Sequence, residues 1–582
     1  MNMKKITVFL LAALMLLSPM ALCASAADAS EGLRFTADAT YPVSKFYSDT
    51  PQTIAAWIKV EKNQGRAGIL LGNFGSATSC LNFEILDGGV PRLYYVDPDA
   101  TKHDFQFDKV DVRTGEWLYL AISHDEATDS SSVFVDGVLK QTIQNTPDFS
   151  PKVCSYPFFI GGDYRANNAQ YFKGQIRSLT VFSQAKTEGD IAYYMTGLDE
   201  KDESLLAHYE MPSEAGTIND TTKNGNHASY CKTWLATKDP VTDYAYSLCV
   251  VGDTQTISYY HPQHMNTIYD WIASNAESKK MAYVLGLGDI TEKSSTEEWA
   301  RAKQAIGKLD GVVPYALVRG NHDKTAGFNA TFNTPEYKQS FNGFYRDTLI
   351  ETSYSLFTAG KTDYLLITLD FGPTDEEFAW AGSIMEQYPE RKVIVITHAY
   401  LFRDGTTLDR NDVYPANTDG TNGRNNGDEI WDKLLRKHEN VFLVLSGHDP
   451  CANIVRTQTK GDHGNLVTQM LIDPQSEEKS DPLGMVAMLY FSEDGKTLSV
   501  EYYSTVKKQY YLSTNQFTMT IAEEKEEITT ESTVESESES ETVQDDAEIK
   551  PASPVIPIVV GAASVVVIGG VVALILVKKK RK

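Results

Sequence analysis

Tyr315-Ala316-Leu317-Val318-Arg319-Gly320-Asn321-His322-Asp323 reads as an apolar strand that passes through a glycine into three residues able to bind or move charge. Strands that end this way recur four times. Ser247-Leu248-Cys249-Val250-Val251-Gly252 runs into Asp253, and Ala282-Tyr283-Val284-Leu285-Gly286-Leu287-Gly288 into Asp289. Val393-Ile394-Val395-Ile396-Thr397 runs into His398, and Val441-Phe442-Leu443-Val444-Leu445-Ser446-Gly447 into His448. A single Asp after a strand is usually a helix cap. Five strands that each deliver such a residue at the carboxyl end, where layered α/β folds gather their sites, indicate one shared polar centre. Amphipathic helices alternate with these strands. Ser295-Thr296-Glu297-Glu298 opens one with a capping box, followed by the stripe Trp299, Ala302, Ile306 and Leu309, and Thr374-Asp375-Glu376-Glu377 opens another. Residues 244–520 are therefore expected to form an α/β layered domain, closed by a hairpin of residues 485–491 and 497–505 around Asp494-Gly495.

The combined motif is Gly252-Asp253-Thr254-Gln255, Gly288-Asp289, Gly320-Asn321-His322-Asp323, Thr397-His398 and Gly447-His448-Asp449-Pro450. Over residues 245–510 it resembles the calcineurin-like metallophosphoesterases. The resemblance implies a β-sandwich flanked by helices and two divalent metal ions (Mn, Mg, Fe or Zn) bridged by Asp289. Asp289, Asn321, His398 and His448 would hold the second ion; Asp253, Gln255 and Asp289 would hold the first. It further implies hydrolysis of phosphate mono- or diesters by attack of a metal-bound hydroxide. His322 would be the general acid, with Asp323 holding its ring. The chain departs from the family pattern at Gln255 and Pro450, where the family has histidines, and both departures fall on the first ion. A site that keeps oxygens and loses nitrogens should bind more weakly or favour Mg²⁺ or Mn²⁺ over Zn²⁺. His463, in Gly461-Asp462-His463-Gly464, is the candidate for the missing nitrogen. Residues 398–428 and 324–352 read as two long structureless loops of the kind that select substrates. Arg403, Arg410 and Arg424 in the first, and Arg346 in the second, are candidates for holding a second phosphate.

Residues 30–200 have a different texture. Thr53-Ile54-Ala55-Ala56-Trp57-Ile58, Ile69-Leu70-Leu71, Trp117-Leu118-Tyr119-Leu120-Ala121 and Ser132-Val133-Phe134-Val135-Asp136-Gly137 are short aromatic and β-branched runs between turn residues. They predict a sandwich or barrel, with an antiparallel β-sandwich of jelly-roll type as the expected form. The stretch resembles the laminin-G-like, concanavalin-type family, on Ala56-Trp57-Ile58, the Trp117 run, the Val135-Asp136-Gly137 hairpin and Phe172-Lys173-Gly174-Gln175-Ile176. Strand-like Leu205-Leu206-Ala207-His208-Tyr209-Glu210 and Ile218-Asn219-Asp220 extend the domain to 30–240. The resemblance implies recognition of carbohydrate or protein, here a glycan or cell-wall ligand, often with a structural calcium ion. No acidic cluster in the sequence defines such a calcium site, and a plain spacer is the competing reading.

The ends suggest export. Lys4, Lys5, an apolar run and Ala24-Ser25-Ala26 form a signal peptide over residues 1–26. Residues 523–549 hold 12 acidic residues and one lysine, so 523–553 is expected to be an acidic, Ser/Thr-rich disordered stalk. The 23 uncharged residues 555–577 are long enough for one transmembrane helix, and the basic tail 578–582 would stay cytoplasmic. The expectation is an exported, single-pass membrane protein with its amino-terminal domains outside. The net charge of −25 argues against nucleic-acid binding other than as substrate. Five cysteines beyond residue 26 follow neither a disulfide nor a zinc pattern, although one bridge such as Cys80–Cys154 is open. Two functional readings result. One is a surface phosphoesterase with the sandwich as its targeting module. The other is a cell-surface binding protein or adhesin whose phosphoesterase domain has decayed.

Overall fold

The computed structural model describes residues 31–522, apart from 44–49, 66, 74–79, 98, 150–156, 164–169, 419, 421 and 480. The expected signal peptide, acidic stalk and apolar 555–577 segment, and Cys154 of the proposed bridge, lie outside the described residues. Among the described residues no helix is long and apolar enough to cross a membrane. The reading as a single-pass membrane protein is corrected accordingly.

The amino-terminal half is a sandwich of two antiparallel sheets, seven- and six-stranded over the described residues. Thr53–Val60 lies within the first sheet between Gly174–Phe182 and Leu118–Asp125, and Cys80–Leu86 lies within the second between Ala67–Gly72 and Pro91–Val96. Alternation places Ile54, Ala56 and Ile58 against Leu81, Phe83 and Ile85 in one core. Ala55 and the half-buried Trp57 face the other way, under Ile191 of the Glu188–Tyr194 helix. The Asp136-Gly137 hairpin forms as its sequence requires. Both residues have positive φ (51° and 76°), and Asp136 Oδ1 accepts the Tyr119 N–H at 2.9 Å.

The carboxyl-terminal half stacks two mixed sheets with helices outside both. In one, Tyr246–Val251, Met281–Gly286 and Tyr315–Leu317 are parallel neighbours. In the other, Thr362–Thr368, Lys392–Ile396, Val441–Ser446 and Leu466–Leu471 are parallel in that order. Leu248, Val250, Leu285, Leu366, Ile394, Ile396, Leu443 and Leu445 fill the space between the sheets. Opposite faces of the same strands meet the helices Met265–Asn275 and Thr296–Ile306 on one side, and Asp375–Gln387 and Gly427–Lys433 on the other. Burial on both faces explains why these strands read as continuous apolar runs. The capping boxes at Ser295–Glu298 and Thr374–Glu377 are both formed. Met485–Phe491 and Thr497–Ser504 pair as the expected hairpin. Residues 324–352 are not a structureless loop: they hold the helices Thr325–Phe332 and Pro335–Lys338 and the strand Gly343–Arg346. The short apolar faces of Phe328, Phe332 and Tyr337 pack into the helix layer, which a loop reading does not capture.

A five-residue crossing ties the two halves. Cys231–Lys232 pairs with Ala39–Thr40 of the sandwich, and Trp234–Leu235 pairs with Gln509–Tyr511 of the second domain. Trp234 lies on Tyr511 with ring centroids 4.8 Å apart, and the Lys232 N–H donates to Ser513 Oγ at 2.9 Å. Trp234→Ala should therefore lower stability by about 1–3 kcal/mol, part of the cost of truncating a fully buried aromatic. This is read as a lower denaturant midpoint with unchanged slope. An unchanged midpoint would mean that the crossing adds nothing to the second domain.

Candidate metal centre

The carboxyl ends of parallel strands from both sheets meet at one buried point. Asn321 Oδ1 lies 2.9 Å from His398 Nε2 and 2.8 Å from His448 Nδ1, and the two ring nitrogens are 3.2 Å apart. Asp289 Oδ2 is 3.4 Å from His398 Nε2, and Asp253 Oδ2 is 4.0 Å from it. Asp253, Asp289 and His398 form a cluster whose ligand atoms all lie within 4.8 Å. The remaining nitrogen of each ring is committed elsewhere. His398 Nδ1–H donates to the Leu287 carbonyl at 2.8 Å, and His448 Nε2–H to the Tyr414 carbonyl at 2.7 Å. By taking one ring N–H each, these carbonyls turn His398 Nε2 and His448 Nδ1 toward each other, the orientation in which backbone carbonyls support metal-ligating histidines. The donor set thus fits a cation. Gln255 borders the cluster: its Nε2 donates to Asp289 Oδ2 at 3.2 Å, and its buried Oε1 has no hydrogen-bond partner among the described residues.

Local backbone geometry serves this convergence. Asp289 and His448 have φ of 45° and 78°, unusual for residues with a Cβ and a form of strain that collects at functional sites. A Cβ on Gly320 would collide with Asp289 Oδ1, and one on Gly447 with Asp253 Oδ1. Here glycine is required by the close approach of a carboxylate. Arg319 braces the centre from behind. It holds Asp370 through two 2.8 Å bonds and donates to the Asp323 carbonyl at 3.1 Å, linking the first sheet's Asn321 turn to the second residue after the Thr362–Thr368 strand. Phe371 lies against both His398 and His448, with centroids 5.8 and 5.5 Å away.

The electrostatics follow from burial. Burial, then the charges of Asp473 and Asp289, pushes the Asp253 carboxyl far above its ordinary range. Burial also acts to raise Asp289, but His398 and His322 hold it below the carboxylate range. Burial, reinforced by His398, pushes His448 down to about 4, which keeps the ring neutral with a lone pair open to a metal. Taking ionised carboxylates out of water costs several kcal/mol each unless cations compensate them.

Several expected roles move. Asp323 does not hold the His322 ring. Its carboxylate accepts the N–H groups of Ile290 and Thr291 at 2.9 Å and the Thr291 hydroxyl at 2.8 Å, so it shapes the turn after Asp289. The ring is held by Glu292: His322 Nδ1 is 3.0 Å from the Glu292 carbonyl and 3.3 Å from its Oε2. Glu292 is itself placed by the capping box, since Glu298 Oε1 accepts the Glu292 N–H at 2.8 Å. His463 supplies no nitrogen to the centre: it is exposed and bonded to the Lys437 carbonyl at 3.1 Å. Arg403 is engaged by the buried Asp449 through its Nε (2.9 Å) and Nη2, which removes it as a loose phosphate-binding group. Arg410 is exposed. Arg424 donates to the Phe371 carbonyl and, with Arg346, lines a cavity of about 280 Å³ that also includes Glu351, Thr352, Asp370 and Glu377.

Comparison with known proteins agrees on both halves. Residues 246–452 match the family model of calcineurin-like phosphoesterases, and residues 35–192 that of the concanavalin A-like lectin/glucanase superfamily. The resemblances read from the strand endings and from the sandwich motifs are thereby borne out: the chain carries a metallophosphoesterase domain behind a lectin-like domain. It is similar to the uncharacterized protein YvnB of Bacillus subtilis (strain 168), with 27% identity over 288 residues, covering 47% of this chain and 21% of that protein. The chain therefore spans about a fifth of the length of that curated relative. Among solved structures, a dimetal phosphatase from Danio rerio covers 48% of this chain and 99% of its own, with 14% identity and a TM-score of 0.32. The IT-sialidase CBM40 of Ruminococcus gnavus covers 29% of this chain and 97% of its own, with 16% identity and a TM-score of 0.23.

The close approach at Gly447 gives a test. Gly447→Ala should push the Asp253 carboxylate out of place and reduce the metal content of the dialysed protein while the sandwich stays folded. Metal analysis and thermal unfolding measure the two effects. Unchanged metal content would show that Asp253 takes no part in binding.

Proposed function

We propose that the carboxyl-terminal half is an active metal-dependent phosphoesterase for phosphate mono- or diesters, and that the sandwich directs it to a carbohydrate-bearing target. The observation that supports this most is the meeting of Asn321 Oδ1, His398 Nε2 and His448 Nδ1 within 3.2 Å, with both other ring nitrogens tied to carbonyls. Asp253, Gln255, Asp289, Asn321, His398 and His448 would hold two divalent ions. Bound there, such ions supply Lewis acidity toward a phosphoryl oxygen and make water acidic enough to act as a nucleophile near neutral pH.

The proton work falls to His322. Its side chain is 35% exposed and its Nε2 stands 4.0 Å from Asp289 Oδ2, at the open edge of the centre. The Glu292 carbonyl and carboxylate occupy Nδ1, so the ring presents Nε2 outward as the donor to a leaving oxygen. Arg346 and Arg424, which line the neighbouring cavity, would take a second phosphate or another polar part of the substrate. A decayed domain would have no reason to keep the His322–Glu292 pair in this arrangement. The lectin-like fold of the sandwich supports the targeting role.

His322→Ala should retain bound metal and lose about 10² to 10⁴ in rate on an alkyl phosphate, whose leaving group needs a proton. The loss should be much smaller on an aryl phosphate with an acidic leaving group. Equal losses on the two substrates would remove His322 from the acid role, and no turnover by the wild-type protein in excess Mn²⁺ on either ester class would remove the phosphoesterase reading.

A further inference from the structure

The Gly447-His448-Asp449-Pro450 turn offers one imidazole where the family pattern offers two, and His463 does not replace the other. The segment that lies along this turn is the one leaving the Leu466–Leu471 strand. The Ile472 N–H donates to the Ser446 carbonyl at 2.9 Å, the Cys451 N–H to the Asp473 carbonyl at 2.9 Å, and Gln475 Nε2 to the His448 carbonyl at 3.3 Å. From the other sheet, Gly252 sits so close to the Ile472 carbonyl that a Cβ would collide with it. Asp473 is thus inserted between the strand end that carries Asp253 and the turn that carries His448.

Its environment is that of a ligand waiting for charge. Asp473 is 1% exposed, and no lysine or arginine pairs with it among the described residues. Gln475 braces it, with the backbone N–H on Oδ1 at 2.9 Å and Nε2 on Oδ2 at 2.7 Å. The same Gln475 accepts Gln255 Nε2 at 2.6 Å, and Gln255 reaches Asp289 Oδ2 at 3.2 Å. Asp473 is also the neighbouring charge that acts most strongly on Asp253. A second observation lies at the same place: Gln255, whose Nε2 reaches Asp289 and Gln475, is fully buried, and its Oε1 has no partner among the described residues. An unsatisfied buried acceptor on a side chain that touches the buried Asp289 carboxylate calls for a cation.

We propose that Asp473 is the missing donor of the first ion. A carboxylate from the end of the Leu466–Leu471 strand takes over from the imidazole that Pro450 cannot provide, with Gln475 as its positioning residue. This inference rests on the two-metal reading above and deepens it. The first site becomes Asp253, Gln255, Asp289 and Asp473, an all-oxygen set suited to a hard divalent cation such as Mn²⁺ or Mg²⁺. The second site keeps its two imidazoles, so the two positions differ in chemistry as well as in affinity.

Calorimetric titration of the metal-stripped full chain with Mn²⁺, with metal analysis after dialysis, tests the assignment. The wild-type protein should bind two ions. Asp473→Asn should keep one and weaken the other by more than about 10-fold, the scale on which even outer-shell partners act. His448→Ala should instead lose the ion that Asp473→Asn keeps. Asp473→His should shift the weakened site from Mn²⁺ toward Zn²⁺, a change that a merely structural role would not produce. If Asp473→Asn does not fold, Asp473→Glu, which keeps the charge and moves the carboxylate, should show the same selective weakening. Two ions bound with wild-type affinities in Asp473→Asn would overturn the proposal. Absence of any Mn²⁺ binding by the wild-type protein would overturn the two-metal reading, and the assignment of Asp473 with it.

Discussion

Acceptors gathered at one buried place are costly unless a cation or a shared proton joins them, and the second domain is built around such a meeting. Asn321 Oδ1, His398 Nε2 and His448 Nδ1 lie within 3.2 Å of one another, with the Asp289 carboxylate beside them. These acceptors come from both sheets, so neither sheet can move without spoiling the cluster. Much of the surrounding structure serves to hold it. The Leu287 and Tyr414 carbonyls fix the imidazole tautomers, Arg319 clasps Asp370 to the Asn321 turn, and Asp289 and His448 accept left-handed backbone conformations. Within the cluster the charges also offset one another. Burial and His398 keep His448 neutral, while the Asp289 carboxylate raises His398 against the effect of its own burial. A divalent ion would meet the same need without a proton.

The parts of this arrangement that were legible in the sequence are those set by local rules. Strands buried on both faces must be continuously apolar, and their ends must be polar where they reach the site, so Asp253, Asp289, Asn321, His398 and His448 stood out. The glycines before Asp289 and His448 stood out for the same reason, and Gly447 proves to be required by its approach to Asp253. The capping boxes and the Asp136-Gly137 turn are also local and were readable.

What escaped the sequence depends on distant partners. Glu292 faces His322 only because Glu298, six residues on, holds the intervening turn through its capping carboxylate. Asp323 follows His322 in the chain, yet its side chain points away to the backbone after Asp289. Arg403 had the look of a free cation in a polar loop, but Asp449, 46 residues away, claims it in the fold. Asp473-Pro474-Gln475 reads as an ordinary turn. Its meaning appears only when the Leu466–Leu471 strand is seen to run parallel to Val441–Ser446, which brings Asp473 alongside the His448 turn. The helices within 324–352 were missed because their apolar faces are short and recognisable only from the layer they pack into.

Everything in this domain turns on where cations sit. Anomalous diffraction at the manganese edge, from crystals of this protein soaked in Mn²⁺, locates them directly. Two peaks about 3.5–4 Å apart are expected, with Asp289 between them. One should lie among Asn321 Oδ1, His398 Nε2 and His448 Nδ1, and the other beside Asp253, Gln255 and Asp473. A single peak, or peaks remote from Asp289, would contradict this arrangement.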